Sequence, residues 1–226
     1  EGVKGSAQMK ATWLLPKQQF SLADIQFSAN DSQLTGNLSG FMSPRLQISA
    51  DLHAATLNLD ALLGLNEVSS GSSTGADQRS GPAPVVAALP EYDNANSPLN
   101  AIDGKVGLSV DALHWRGVQM KNVQLAAVNK AGLMTINTFR GNIPGGSFSL
   151  PGTIDVRSAQ TKVTVQPDLK QFALTPLLKS LELPDKVSGA ISLTGNFAGE
   201  GLSVDDVKRR WQGRADLTVK DAQFAG

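Results

Sequence analysis

The sequence predicts a mainly β protein built as an antiparallel sheet and extended by repetition. Three observations predict it. Apolar and polar residues alternate singly along many short runs, turn-forming pairs punctuate those runs at hairpin spacing, and one strand-helix unit occurs twice. The stretch IDGKVGLSVDALHWRGVQMKNVQLAAV at 102–128 shows the pattern well, with Leu108 and Val110, then Val123 and Leu125, at alternate positions. In an extended strand that period puts every apolar side chain on one face.

Along the chain, Ile48, Ala50 and Leu52 alternate with Gln47, Ser49 and Asp51. The segment 57–63, LNLDALL, changes to helical spacing and predicts a short helix. From 67 to 100 Ser, Gly, Ala, Pro and Asn dominate with no sustained apolar period, which predicts a mobile loop without chemistry. It separates a first β block at 1–66 from a second at 101–226. In the second block Val163 with Val165, Ile191 with Leu193, and Leu217 with Val219 continue the alternation. A helix is predicted over 174–181, with Pro176 in its first turn, and another over 203–211. The latter opens on a cap-competent Ser203, with acids first and bases last, matching the helix dipole. Turns are expected at Asn30 and Asp31, Gly40, Asp103 and Gly104, Arg116 and Gly117, the Lys130, Ala131, Gly132 triplet, Gly145 and Gly146, and Pro151 and Gly152. At Gly145 and Gly146 a tight turn calls for positive φ.

The duplicated unit lies at 46–65 and 161–181, which align as a strand, a bend and a Leu-rich helix. Two copies of one unit favour stacked, elongated architecture over a closed barrel. The chain opens at Glu1 without a methionine and stops directly after strand-like sequence, so it reads as a piece of a longer protein.

Composition excludes several functions. With 20 basic and 20 acidic residues, and no Lys/Arg run suited to tracking phosphates, nucleic acid is not an expected ligand. The absence of cysteine removes thiol catalysis, disulfides and zinc ribbons. No stretch approaches the roughly 20 apolar residues of a membrane span. The two histidines, His53 and His114, lack partners for a triad, and Asp51 with His53 makes at most half of a metal site. Neither P-loop, HExxH nor dinucleotide-binding motif is present, so no enzymatic activity, metal or cofactor is expected. Trp13 and Trp115 read as packing residues. Lys208, Arg209 and Arg210, followed by Trp211, fit a helix C-terminus, and are also candidates for contact with anionic headgroups.

The second block resembles the AsmA-like family of Gram-negative envelope proteins. The carrying residues are Ile102 to Val106, the strands through Trp115 to Val118 and Val123 to Leu125, and the Gly145 to Phe148 turn. They continue through Phe172, Leu174, Leu177 and Leu178, then Ser188 to Ile191, and the Gly199 to Ser203 lead into Trp211 to Ala215. The resemblance implies an elongated, curved antiparallel sheet of repeating β units forming a groove, with about three short helices. It also implies anchoring to the inner membrane through a segment outside this chain, a periplasmic location, phospholipid transport with outer-membrane assembly, and contacts with other envelope proteins. It brings no catalytic residues.

The alternation poses the same question independently. Three short helices cannot cover the oily face of ten or so strands, each gaining about 25 cal/mol per Å² from removal of apolar surface from water. That face must meet a second sheet, a neighbouring unit or an apolar ligand. A phospholipid or other acyl-chain lipid fits the last case, since each buried CH₂ contributes about 0.8 kcal/mol without a directional partner. The candidate lipid-facing residues are Ile48, Ala50, Leu52, Leu108, Val110, Val123, Leu125, Val163, Val165, Ile191, Leu193, Leu217 and Val219. The alternative is a non-transporting envelope scaffold with a closed β-sandwich core.

Overall fold

Two prolines decide how the strands are counted. The computed structural model describes residues 5–29, 31–62, 94–115, 118–175, 178 and 187–224. Their strands are β1 (Gly5–Leu14), β2 (Gln19–Ala29), β3 (Ser32–Phe41), β4 (Leu46–Asn58), β5 (Ile102–Trp115), β6 (Val118–Lys130) and β7 (Leu133–Ile143). Six more follow: β8 (Gly146–Ser149), β9 (Gly152–Asp155), β10 (Lys162–Val165), β11 (Asp168–Ala173), β12 (Val187–Glu200) and β13 (Trp211–Phe224). All thirteen belong to one hydrogen-bonded sheet. Pro151 separates β8 from β9, and Pro167 separates β10 from β11, because proline has no N–H to give a ladder. Each broken pair still runs as one line: β7 pairs with β8 at one end and β9 at the other, while β12 pairs with both β11 and β10. The Leu150 N–H donates to the Phe139 carbonyl, and that of Gln166 to Pro151, carrying the ladder across both breaks.

The expectation of a wholly antiparallel sheet is corrected at one junction. β4 and β5 pair in parallel, from Leu46 opposite Ile102 to Asn58 opposite His114, so the sheet is mixed. Parallel neighbours need a long crossover, and residues 59–101 supply it, joining the two β blocks in one sheet. The edge holding the C-terminal ends of β4 and β5 is called upper here, and the opposite edge lower.

Several expected turns are strand instead. Gly40 lies inside β3, where a β-carbon would collide with the Gln47 carbonyl, and Gly104 lies inside β5, where it would sit 2.5 Å from the Ile48 carbonyl. Glycine at these sites marks close backbone approach rather than reversal. Pro151 and Gly152 interrupt one line without reversing it. The turns at Asp31, at Ala131 with Gly132, and at Gly145 form as expected, all with positive φ. Arg116 and Gly117 lie outside the described residues.

Two α-helices are delimited among the described residues. α1 (Leu59–Leu62) begins later than expected, because Leu57 and Asn58 remain in β4. α2 (Val204–Arg210) carries the Ser203 cap: Ser203 Oγ accepts the Asp206 N–H at 3.1 Å, and the Ser203 N–H reaches the Asp206 carboxylate at 3.2 Å. The Ser203 hydroxyl, donating at 2.7 Å, holds that carboxyl below its usual pKa. The helix expected at 174–181 falls mostly outside the described residues. The duplicated unit is also not duplicated in pairing: β4 is one unbroken strand with a parallel neighbour, whereas its counterpart is split at Pro167 and antiparallel throughout. Asn94–Asn96 and Pro98–Ala101, at the end of the low-complexity segment, form 3₁₀ turns.

Register shifts recur in the upper half of the sheet. They fall between Gln8 and Lys10, Leu22 and Ile25, Gln33 and Leu34, Lys121 and Gln124, Leu169 and Phe172, and Ser188 and Ala190, with one more between Ala126 and Ala127 in the lower half of β6. Asp24, Asn122, Gln171 and Asp221 sit at these bulges with positive φ, which short polar side chains tolerate better than branched ones. Each bulge bends its strand and increases local twist. The Lys121–Gln124 shift resets the alternation on β6, where the buried residues run Met120 then Val123, and their partners across the ladder, Leu113 and Val110 on β5, keep the same spacing.

Candidate functional site

One face of the sheet is apolar across its whole width. Trp13 stands opposite Phe20 at the β1 end; Leu38, Ala50, Val106 and Ala127 stand in line across β3 to β6; Phe148, Leu169, Leu193 and Leu217 do so from β8 to β13. The other face is polar. There His53 Nδ1 lies 2.8 Å from Ser109 Oγ with Asp111 at 3.3 Å from Nε2, Arg140 donates twice to Gln124, and Lys10 meets Asp24 at 2.8 Å. Asp51 shares that polar side, and His114 stands opposite Gln119. Among the described residues no group of three or more His, Asp or Glu side chains is placed to hold a metal ion.

All thirteen candidate lipid-facing residues share the apolar face by register, but their exposure falls into three groups. Val110, Val123, Ile191 and Val163 are buried, at 2 to 6% exposure. Ile48, Ala50, Leu52, Leu108, Leu125, Val165 and Leu193 are half-buried. Leu217 and Val219, on the edge strand β13, are exposed at 57% and 42%.

The buried stretch has an identifiable cause. Ala54, Val110, Leu113, Met120, Val123, Ile143 and Phe148 form one cluster, against which Leu57, Leu59 of α1, Phe139, Leu169 and Phe172 pack. Phe139 and Phe148 meet edge to face at 5.3 Å, the preferred aromatic geometry. Gly141 leaves space for the Phe148 ring, which a β-carbon there would approach to 3.0 Å.

At the lower edge the face is closed by amides. Asn129 stands where the alternation calls for an apolar residue; its Nδ2 donates to the carbonyls of Leu99 and Ile102 at 2.9 and 2.7 Å. Asn94, only 2% exposed, donates to the Ser158 carbonyl at 2.8 Å and accepts from the Thr161 hydroxyl at 3.1 Å. Asn100 donates to the Asn94 carbonyl at 2.7 Å. The 3₁₀ turns therefore tie the start of β5 to the β9–β10 turn. Sequence reading missed this set, although an asparagine in phase with Val123, Leu125 and Ala127 is a readable signal. In the same β9–β10 turn Arg157 grips Asp155 at 2.7 and 2.8 Å, and this guanidinium hydrogen bond lowers the carboxyl pKa to about 2.

The β1 end of the face is open. Ala11, Thr12, Trp13, Phe20, Leu22 and Met42 line an apolar depression of about 370 Å³, the size of a small-molecule site. Trp13 is not a buried packing residue: it stacks on Phe20 at 6.1 Å and remains 51% exposed. Lys208, Arg209 and Arg210 lie on α2 at the lower edge, exposed, with Arg210 near Asp206 at 3.7 Å. Among the described residues no helix is long and apolar enough to cross a membrane.

Comparison with known proteins is consistent along the chain. The AsmA family matches residues 5–226. Protein AsmA of Escherichia coli strain K12 is 30% identical over 230 residues, covering all of this chain and 37% of that protein. The chain thus spans little more than a third of that relative's length. No solved structure is significantly similar. By the extent of that match, the chain belongs to the AsmA family.

Proposed function

We propose that this chain is a lipid-binding segment of a bacterial envelope protein, and that its apolar face carries acyl chains of phospholipids on their way between inner and outer membrane. The observation that carries the reading is the unbroken apolar face, half-buried through much of its width and open at both edge strands. Acyl chains need only apolar contact, while the headgroups stay in water beyond the strand ends. Family membership supports an envelope-related role; the proposal further places the chain on the periplasmic side of the inner membrane, held there by an anchor in the longer protein. No step of bond chemistry is assigned to any residue.

A scaffold without transport is the second reading, favoured by the closed cluster around Val110. In-cell photocrosslinking separates the two. A photoreactive residue at Leu125, Leu193 or Leu217 is expected to capture phospholipid, whereas one at Gln124 or Thr194, on the polar face, captures none. Equal and negligible labelling at all five positions eliminates the lipid-binding reading and leaves the scaffold.

A further inference from the structure

Two adjacent turns at the lower edge carry an apolar surface that the sheet does not need for its own core. The β1–β2 turn is a 3₁₀ turn at Leu15–Lys17, and the β3–β4 turn follows Phe41; the Met42 N–H donates to the Gln18 carbonyl at 2.9 Å, joining the two. Leu15 is 75% exposed, and Trp13, Met42, Leu14 and Phe41 are between 42% and 51% exposed. These side chains occupy both faces. Trp13 is on the apolar face opposite Phe20, whereas Leu14 and Phe41 both stand opposite Gln19, on the side that is polar elsewhere. Residues 14–19 and 40–47 contain no Asp or Glu, and Lys17 and Arg45 supply positive charge. Arg45 is held by Asp103 at 3.3 Å and by the Asn100 carbonyl at 2.8 Å, which leaves Lys17 as the outermost cation.

We propose that these two turns form a tip that inserts into the headgroup region of an anionic lipid bilayer. A neighbouring strand or sheet would cover one face and leave Leu14 and Phe41, or Trp13, in water. A lipid phase covers all sides and requires no shape complementarity. Two turns of about five residues each also fall short of the roughly 20 to 30 residues per partner of a stable protein interface. Tryptophan at the water boundary and lysine among anionic headgroups are the expected arrangement for shallow insertion. The tip adjoins the depression lined by Trp13, Phe20 and Met42, yet the proposal does not require the face to hold lipid.

Sedimentation with phosphatidylcholine vesicles, with and without phosphatidylglycerol, tests it. Trp13 emission is followed in a Trp115→Phe, Trp211→Phe background. The chain is expected to sediment with anionic vesicles and Trp13 emission to shift to the blue. Burial of a leucine as exposed as Leu15 corresponds to roughly tenfold in partitioning, so Leu15→Asp is expected to weaken binding at least that much. Lys17→Glu weakens binding to anionic vesicles alone, and Thr218→Asp, exposed on the polar face of the far edge strand, leaves it unchanged. Retained urea midpoints show that the variants are folded. Absence of vesicle binding by the unmodified chain overturns the proposal. So does binding unaffected by the Leu15→Asp, Met42→Asp pair, or self-association that disappears in that pair without any vesicle binding.

Discussion

Replacing Val110 and Leu217 separately by aspartate tests whether the apolar face is closed at its centre and open at its edge. Val110 is 2% exposed, opposite Ala54 and Val123. Val110→Asp loses about 2 kcal/mol of apolar burial and forces a carboxyl group into surroundings with no partner, costing several kcal/mol more whether charged or protonated. The combined loss, above about 4 kcal/mol, is a large part of the 5 to 15 kcal/mol that holds a typical domain together. Leu217 already exposes 57% of its surface, so Leu217→Asp loses about 1 kcal/mol, and its carboxylate stays in water. Urea unfolding followed by far-UV circular dichroism measures both, with Val110→Ala, expected to cost about 2 kcal/mol, as the uncharged control. Equal destabilisation at the two sites would refute the division of the face. An unchanged midpoint for Val110→Asp would refute the closed centre.

Four other outcomes follow from the geometry. Gly104→Val drives a side chain into the Ile48 carbonyl at the parallel junction, and a lowered urea midpoint together with faster amide exchange in β4 and β5 is expected. Asn129→Ala removes the amide that bonds the Leu99 carbonyl in the Pro98–Ala101 turn and the Ile102 carbonyl at the start of β5, and should cost about 1 to 2 kcal/mol, with faster hydrogen exchange over residues 97–102; unchanged exchange there contradicts the closure. The Asp155 carboxyl titrates near pH 2, below its ordinary value of 3.8, so its contribution to stability is present above about pH 4 and lost as the pH falls toward 2. An NMR titration should show that midpoint returning to the ordinary range in Arg157→Gln. Ser203→Ala removes the α2 cap and raises the Asp206 carboxyl pKa toward its usual value, which the same titration reads.

The apolar face was legible because the period of a strand is two and its side chains alternate without exception between Ile48 and Leu52, or between Val106 and Val110. The bulges were legible too, though in another form. Apolar pairs three apart, such as Val110 and Leu113, Met120 and Val123, or Leu169 and Phe172, are what one inserted residue produces, yet the same spacing reads as helix when taken alone. That is why Leu57 was assigned to a helix although it continues β4 past its own register shift. The parallel junction left no local signal, because it depends on where residues 59–101 deliver the chain, and glycine within a strand looks like glycine within a turn until the neighbouring backbone is known. Exposure was likewise hidden: Val110 and Leu217 have the same alternation, but Ile143, Phe148 and Leu59 from other parts of the chain gather around Val110, whereas Leu217 stands on an edge strand.

That last difference constrains how the proposed lipid site works. Acyl chains can lie against β12 and β13, or against Trp13 and Phe20 on β1 and β2, without displacing protein side chains. Over the cluster around Val110 they cannot, since Phe148, Phe139 and Leu59 already occupy the space. A chain crossing that stretch must exchange its contacts for those of the cluster. The exchange is close to neutral per CH₂, because both are apolar, but it needs the cluster to open. The elements available to move are few: α1, one turn long, contributes Leu59, whereas Val110 is held by ladders to Ala54 and Val123 on both sides. Tethering α1 therefore separates binding from passage. A disulfide or crosslink that pins Leu59 over β5 should leave lipid capture at Leu193 and Leu217 intact and abolish movement of lipid between the two open ends. If pinning α1 changes neither, acyl chains do not pass beneath it, and each open end binds lipid independently.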